Sequence, residues 1–142
     1  MQYRPCQVTL NNGDILYNVY VVEEQNYLKT WGVFPDADSG KKYVLIEDVT
    51  EIKESPNRLQ PNFANKIYKA GESGMGYCFF QIVFDNGQRL DVCSGNAVDF
   101  VPLSKGLTTK NIKDVLPHEG NRKKFIKSPQ YYWCLFKGNL QP

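Results

Sequence analysis

The sequence predicts a mainly β protein: a small antiparallel barrel of the SH3-like kind, made of two related β-units with one short helix between them. Three observations carry this. Two Asn-Gly pairs, Asn12-Gly13 and Asn86-Gly87, each sit between runs rich in β-branched and aromatic residues, the strongest short-range signal for a hairpin. Several of those runs are apolar on both faces, as strands enclosed in a barrel or sandwich are. The two halves of the chain also look alike: "VTLNNGDILYNVYV" parallels "IVFDNGQRLDVCSG", and "IEDVTEI" at Ile46–Ile52 parallels "IKDVLPH" at Ile112–His118. At 142 residues, a single domain spanning 1–142 is expected. Within it, an internal duplication of 6–57 and 77–120 is expected, joined by a helix near 62–70.

The elements follow in order. The first hairpin joins "CQVTL" to "DILYNVYVV" through Asn12-Gly13. A two-residue type I′ turn is expected there, because its central residues need positive φ. In the second strand Ile15, Tyr17, Val19 and Val21 share one face, and Leu16, Tyr20 and Val22 the other. A further strand is predicted at Lys42–Glu47. A helix follows in "PNFANKIYKAG", where Phe63 with Ile67 and Ala64 with Tyr68 form an apolar stripe. Lys66 and Lys69 suit its C-terminal dipole, and Gly71 stands where a helix cap favours glycine. The second hairpin joins "YCFFQIVF" to "QRLDVC" through Asn86-Gly87, and strands are predicted at Asn96–Leu103 and Tyr131–Lys137. Thr109–Leu116 supports two readings: a helix stopped by Pro117, or a strand matching Tyr43–Ile52.

The glycine-rich stretch "YKAGESGMGYCFF" invites a phosphate-loop or nucleophile reading. Phosphate-cradling loops run strand, glycines, helix, so that free N–H groups face the anion. Here the order is helix, glycines, strand, and Met75 stands where a nucleophile elbow needs its second glycine. The stretch is therefore expected to cap a helix and lead into a buried strand, with Glu72, Ser73 and Gly74 as a flexible loop with binding potential.

Composition bounds the function. No segment is long and apolar enough to span a bilayer, and the first residues lack the apolar core of a signal peptide, so a cytoplasmic location is expected. Cys6, Cys78, Cys93 and Cys134 are spread singly; reduced thiols are expected, with Cys78 and Cys134 buried in aromatic runs. One histidine, His118, and four scattered cysteines offer no zinc pattern. "DADSGKKYVLIE" places Asp36, Asp38 and Glu47 like calcium ligands, but its glycine is one position early. No metal or cofactor is expected.

Net charge is +2, unevenly spread: residues 1–57 hold nine acids and five bases, residues 58–142 six acids and twelve bases. Within "NRKKFIKSPQYYWCLF", Arg122, Lys123, Lys124 and Lys127 precede Tyr131, Tyr132 and Trp133. These four cations, with Trp31 and Trp133 as aromatic anchors, are the expected partner-binding residues. The first expectation is a non-enzymatic binding module, of adaptor or inhibitor type, for an acidic protein partner. The alternatives are a nucleic-acid-binding small barrel and an enzyme pairing Cys78 or Cys93 with His118.

Overall fold

The computed structural model describes residues 4–38, 41–95, 97–103 and 106–138. Its strands and helices run β1 Arg4–Leu10, β2 Ile15–Glu23, α1 Glu24–Trp31, β3 Tyr43–Leu45, β4 Val49–Lys53, α2 Pro61–Ala70, β5 Cys78–Phe84, β6 Arg89–Ser94, β7 Ile112–Pro117, β8 Ile126–Lys127 and β9 Tyr132–Phe136. Single 3₁₀ turns lie at Pro35–Ala37, Ile46–Asp48 and Thr109–Asn111. The protein is mainly β, and the chain forms two units: Met1–Ser55 with Gln130–Pro142, and Pro56–Pro129. The charge imbalance follows the units. The first holds nine acids and six bases, the second six acids and eleven bases.

Both Asn-Gly hairpins form, but each turn is one residue longer than the expected type I′. Gly13 N donates to Leu10 O at 2.9 Å and Leu10 N to Asp14 O at 2.8 Å. Phe84, Gly87 and Gln88 repeat the pattern, at 3.0 and 2.9 Å. Only the glycine of each pair has positive φ, 92° at Gly13 and 87° at Gly87. This is a type I turn closed by a glycine bulge, the usual three-residue hairpin loop. The asparagine serves it differently than expected: Asn12 Oδ1 accepts from Asp14 N, and Asn86 Oδ1 from Gln88 N, both at 2.9 Å.

In the first unit the sheet order is β3-β9-β2-β1-β4. β1 pairs antiparallel with β2 and β4, while β9 runs parallel to both β2 and β3. The two faces predicted for β2 are both covered only from Val19 to Val22; Ile15 and Tyr17 are exposed. Burial begins where β9 pairs alongside, at Val19↔Tyr132. One face packs Cys6, Val8, Val19, Val21 and Cys134. On the other, Trp133 has ring centroids of Tyr20, Tyr27 and Trp31 at 5.3, 5.0 and 6.0 Å. Tyr27 and Trp31 come from α1, a helix not expected from the sequence. Glu23 Oε2 accepts from Asn26 N at 2.8 Å to start that helix, and Gly32 at φ 82° ends it.

In the second unit the order is β7-β5-β6-β8, antiparallel except for the parallel pair β6–β8. α2 falls where the apolar stripe predicts it and buries Ala64 and Ile67 against Phe80, Ile82, Val92 and Val115. Tyr68, its expected stripe partner, is exposed at one edge, where its hydroxyl donates to Asp99 Oδ2 at 2.6 Å. Thr109–Leu116 resolves into a 3₁₀ turn followed by a strand, which pairs with β5 from Phe84↔Ile112 to Phe80↔Pro117. Pro117 is tolerated because it ends an edge strand. The strand predicted at Asn96–Leu103 is absent over 97–103, apart from one bridge, Arg58↔Phe100; Asn96 lies outside the described residues.

Both sheets are mixed rather than purely antiparallel, and among the described residues neither closes, so the expected barrel gives way to two open sheets. Each contains the same four-strand order, β4-β1-β2-β9 in one and β7-β5-β6-β8 in the other, with the same strand directions. The match extends to single bonds: Asn11 N donates to Asp48 O at 2.9 Å, Asp85 N to Asn111 O at 2.8 Å. Leu10↔Val49 then corresponds to Phe84↔Ile112. By this pairing the counterpart of Asp48 is Asn111, three residues earlier than the Asp114 suggested by the sequence pattern.

Candidate functional site

The glycine-rich loop folds on itself. α2 ends at Gly71, and Ser73 N donates to Tyr77 O at 2.9 Å, while Tyr77 N donates to Gly74 O at 3.3 Å. Gly76 N donates to Glu72 Oε2 at 2.5 Å, so the acid of the loop satisfies its own backbone. A Cβ on Gly74 would stand 2.3 Å from Cε1 of Tyr77; only glycine lets that ring lie so close. The loop is a braced bend, and the N–H groups of Ser73, Gly74, Gly76 and Tyr77 are turned to internal partners.

His118 locks this bend to the sheet. It is the one non-glycine residue with positive φ, 67°, among the described residues. A conformation of that kind persists only where neighbours hold it. His118 N donates to Phe79 O at 2.7 Å; Nε2 lies 3.1 Å from Ala70 O, and Nδ1 lies 2.7 Å from Ser73 Oγ. A carbonyl only accepts, so Nε2 carries a proton, and the Ser73 hydroxyl has two acceptors in reach, Nδ1 and Phe79 O at 3.2 Å. A serine hydroxyl on an imidazole is the first half of a nucleophile–base pair. Ser73 Oγ, however, also accepts from Phe79 N at 2.8 Å, and the loop's Gly76 N–H is already taken. The arrangement joins the end of α2, the loop and β5.

His118 thus meets Ser73, with neither Cys78 nor Cys93 among its hydrogen-bond partners. Cys6, Cys78 and Cys134 are buried and Cys93 is partly so; all four are free thiols. Burial, then Glu72 and Cys93, push the Cys78 thiol up, and Cys134 is pushed up to about 12 by burial, Cys6 and Glu47. Thiols held protonated are poor nucleophiles. Among the described residues no cluster of His, Cys, Asp and Glu could hold a metal ion, and no helix is long and apolar enough to cross a membrane.

The basic tract lies next to this bend. Asn121 N donates to Asp91 Oδ2 at 3.0 Å, and Asn121 Oδ1 accepts from Lys123 N at 2.9 Å, which turns the chain outward. The Arg122 guanidinium sits 5.0 Å from the Phe79 ring centre and donates to Tyr77 Oη at 3.2 Å. Beyond it, β8 pairs with β6 as a two-residue edge strand, and Ser128 N donates to Cys93 O at 3.0 Å. Residues 122–127 are all exposed, with Phe125 at 40% and Ile126 at 48%. None of these four cations belongs to the ion pairs Lys53–Glu51 and Lys66–Asp114. Glu72, Ser73, Gly74, His118 and Arg122 therefore meet in one network through Tyr77, from which Lys123, Lys124 and Lys127 extend.

The two tryptophans lie elsewhere, in the first unit. Trp133 is 1% exposed and is core. Trp31 is half-buried under Lys41, whose Nζ lies 3.8 Å from its ring centre. Neither is presented as an anchor; the exposed aromatic beside the cations is Phe125. The signal for it was present, since Phe125 and Ile126 interrupt the basic run. Compared with known proteins, the chain matches no family model, no curated protein and no solved structure.

Proposed function

We propose that the chain is a non-enzymatic, cytoplasmic binding module, of adaptor or inhibitor type, built from two copies of one β-unit. Its second unit docks an acidic protein partner. The observation that carries this reading is the strip Arg122, Lys123, Lys124, Phe125, Ile126, Lys127, in which four cations with no carboxylate partner among the described residues flank two exposed apolar side chains. Cations at a rim steer encounter, and desolvated apolar groups supply most of the affinity. Free cysteines support a reducing compartment. A nucleic acid is the other polyanion such a strip meets. It is less favoured, because base stacking calls for a platform of exposed aromatics, and the strip offers Phe125 alone.

The test is binding to a labelled peptide in which Asp and Glu flank one Phe, against a neutral peptide of equal length. The acidic peptide is expected to bind, with affinity falling as salt rises. Lys123→Glu with Lys124→Glu should slow association about tenfold or more, with the fold intact. Equal binding of both peptides, or tighter binding to generic RNA or duplex DNA, would refute the reading.

A further inference from the structure

The first unit carries a second surface of opposite sign. An open groove of about 500 Å³ runs along its edge strand β3. In the ladder Tyr43 lies opposite Trp133 and Leu45 opposite Leu135, so these four side chains share one face of the sheet. α1 covers that face at Trp133 through Tyr27 and Trp31. Toward β3 it does not: Leu45 is 54% exposed and Tyr43 44%, and Phe34 stands exposed on the far wall. Large apolar side chains grouped around a concavity mark a binding site more often than scattered ones do.

Charge selects the occupant. Three carboxylates line the groove, Glu24, Asp36 and Glu47, against one ammonium, Lys137. None of them belongs to the ion pairs of the described residues. An acidic rim around an apolar floor repels anionic partners and attracts cationic ones. The edge adds a shape preference. Among the described residues β3 is paired on one side only, with β9, and an extended segment can pair along such an edge while alternate side chains enter the groove.

We propose that this groove binds an extended peptide segment in which bulky apolar residues alternate with lysine or arginine. The site is independent of the basic strip, lies on the other unit and takes the opposite charge. Leu45 and Tyr43 supply apolar contact; Glu24, Asp36 and Glu47 supply the sign.

The experiment measures fluorescence anisotropy of two labelled heptapeptides, one alternating Leu with Lys and the other Leu with Glu, with the full chain. The Lys peptide is expected to bind at least tenfold tighter, and less tightly as salt rises. Leu45→Glu adds a negative charge, so plain electrostatic attraction would strengthen; loss of the groove instead weakens binding at least tenfold. Because Leu45→Glu also puts a charge on an edge strand, its circular dichroism and melting temperature are recorded. Asp36→Lys with Glu47→Lys, at exposed positions, gives a second test and should reverse the peptide preference. Lys123→Glu with Lys124→Glu should leave this binding in place. Equal binding of the two peptides, or binding that survives Leu45→Glu, overturns the proposal. So does a dimer in sedimentation that Leu45→Glu dissolves, which would make a second copy the occupant.

Discussion

Ser73 Oγ and His118 Nδ1 lie 2.7 Å apart although 45 residues separate them in sequence. The bond connects a loop between α2 and β5 to the residue that follows β7, and through Nε2 it also reaches the last turn of α2. A bond of this kind braces three elements at once, so its loss is felt by all of them.

Removing either partner is predicted to destabilise the second unit. Ser73→Ala leaves the N–H of buried Phe79 without its side-chain acceptor, at a cost of about 1–2 kcal/mol. His118→Ala loses two hydrogen bonds and keeps a residue with a Cβ at φ 67°. His118→Gly should be less damaging than His118→Ala by about 1 kcal/mol, because glycine adopts positive φ without strain. Urea unfolding of the two single variants and the double should give a coupling of about 1 kcal/mol; strict additivity would mean the bond does not hold the elements together.

The thiols give a pH prediction. At neutral pH a brief iodoacetamide pulse on the native protein should label Cys93 and spare Cys6, Cys78 and Cys134, read by mass spectrometry. In the unfolded chain a thiol ionises near 9, whereas native Cys134 holds its proton up to about 12. Between these values the unfolded state releases a proton that the native state keeps, so stability falls as pH rises through that window. Cys134→Ala should flatten this alkaline decline while creating a small cavity that lowers stability at pH 7. An unchanged alkaline limb in that variant would count against a buried, protonated Cys134.

Gly74 leaves room for the Tyr77 ring, whose hydroxyl receives Arg122. Gly74→Ala forces the Tyr77 ring aside, and with it the hydroxyl that receives Arg122. The predicted cost is about 1 kcal/mol or more, with weaker binding of the acidic peptide because Arg122 is released. Normal stability and normal binding would show that Tyr77 moves freely and does not position Arg122.

The hairpins were legible because Asn-Gly is a local signal, yet the turn type was not, since the same pair also closes three-residue loops. α1 was concealed by its cap: Glu23 fills the place where Ser, Thr, Asp or Asn is the usual marker. Gly32 and the acid-to-base order from Glu24 to Lys29 were the available clues. In Ile112–Pro117 the apolar residues Ile112, Val115 and Leu116 stand at helical spacing, yet the segment pairs with β5 as a strand, with a register shift between Val83 and Phe84. The return strands β8 and β9 pair in parallel over long separations, for which sequence has no local marker. Trp133 sits in a run that is apolar on both faces, so only its neighbours Tyr20 and Tyr27 reveal it as core. The contact of Ser73 with His118 is likewise invisible until the chain has folded.

The central claim is that residues 121–127 form the docking surface for an acidic partner. Hydrogen–deuterium exchange of the full chain with and without the acidic Phe-containing peptide tests it most directly, because it locates the contact rather than inferring it from a variant. The account predicts added protection confined to the amides of 121–127 and the adjoining residues of β6, lost in Lys123→Glu with Lys124→Glu. Protection centred on β3 and the Phe34 turn, or none at peptide concentrations that saturate binding, would contradict it.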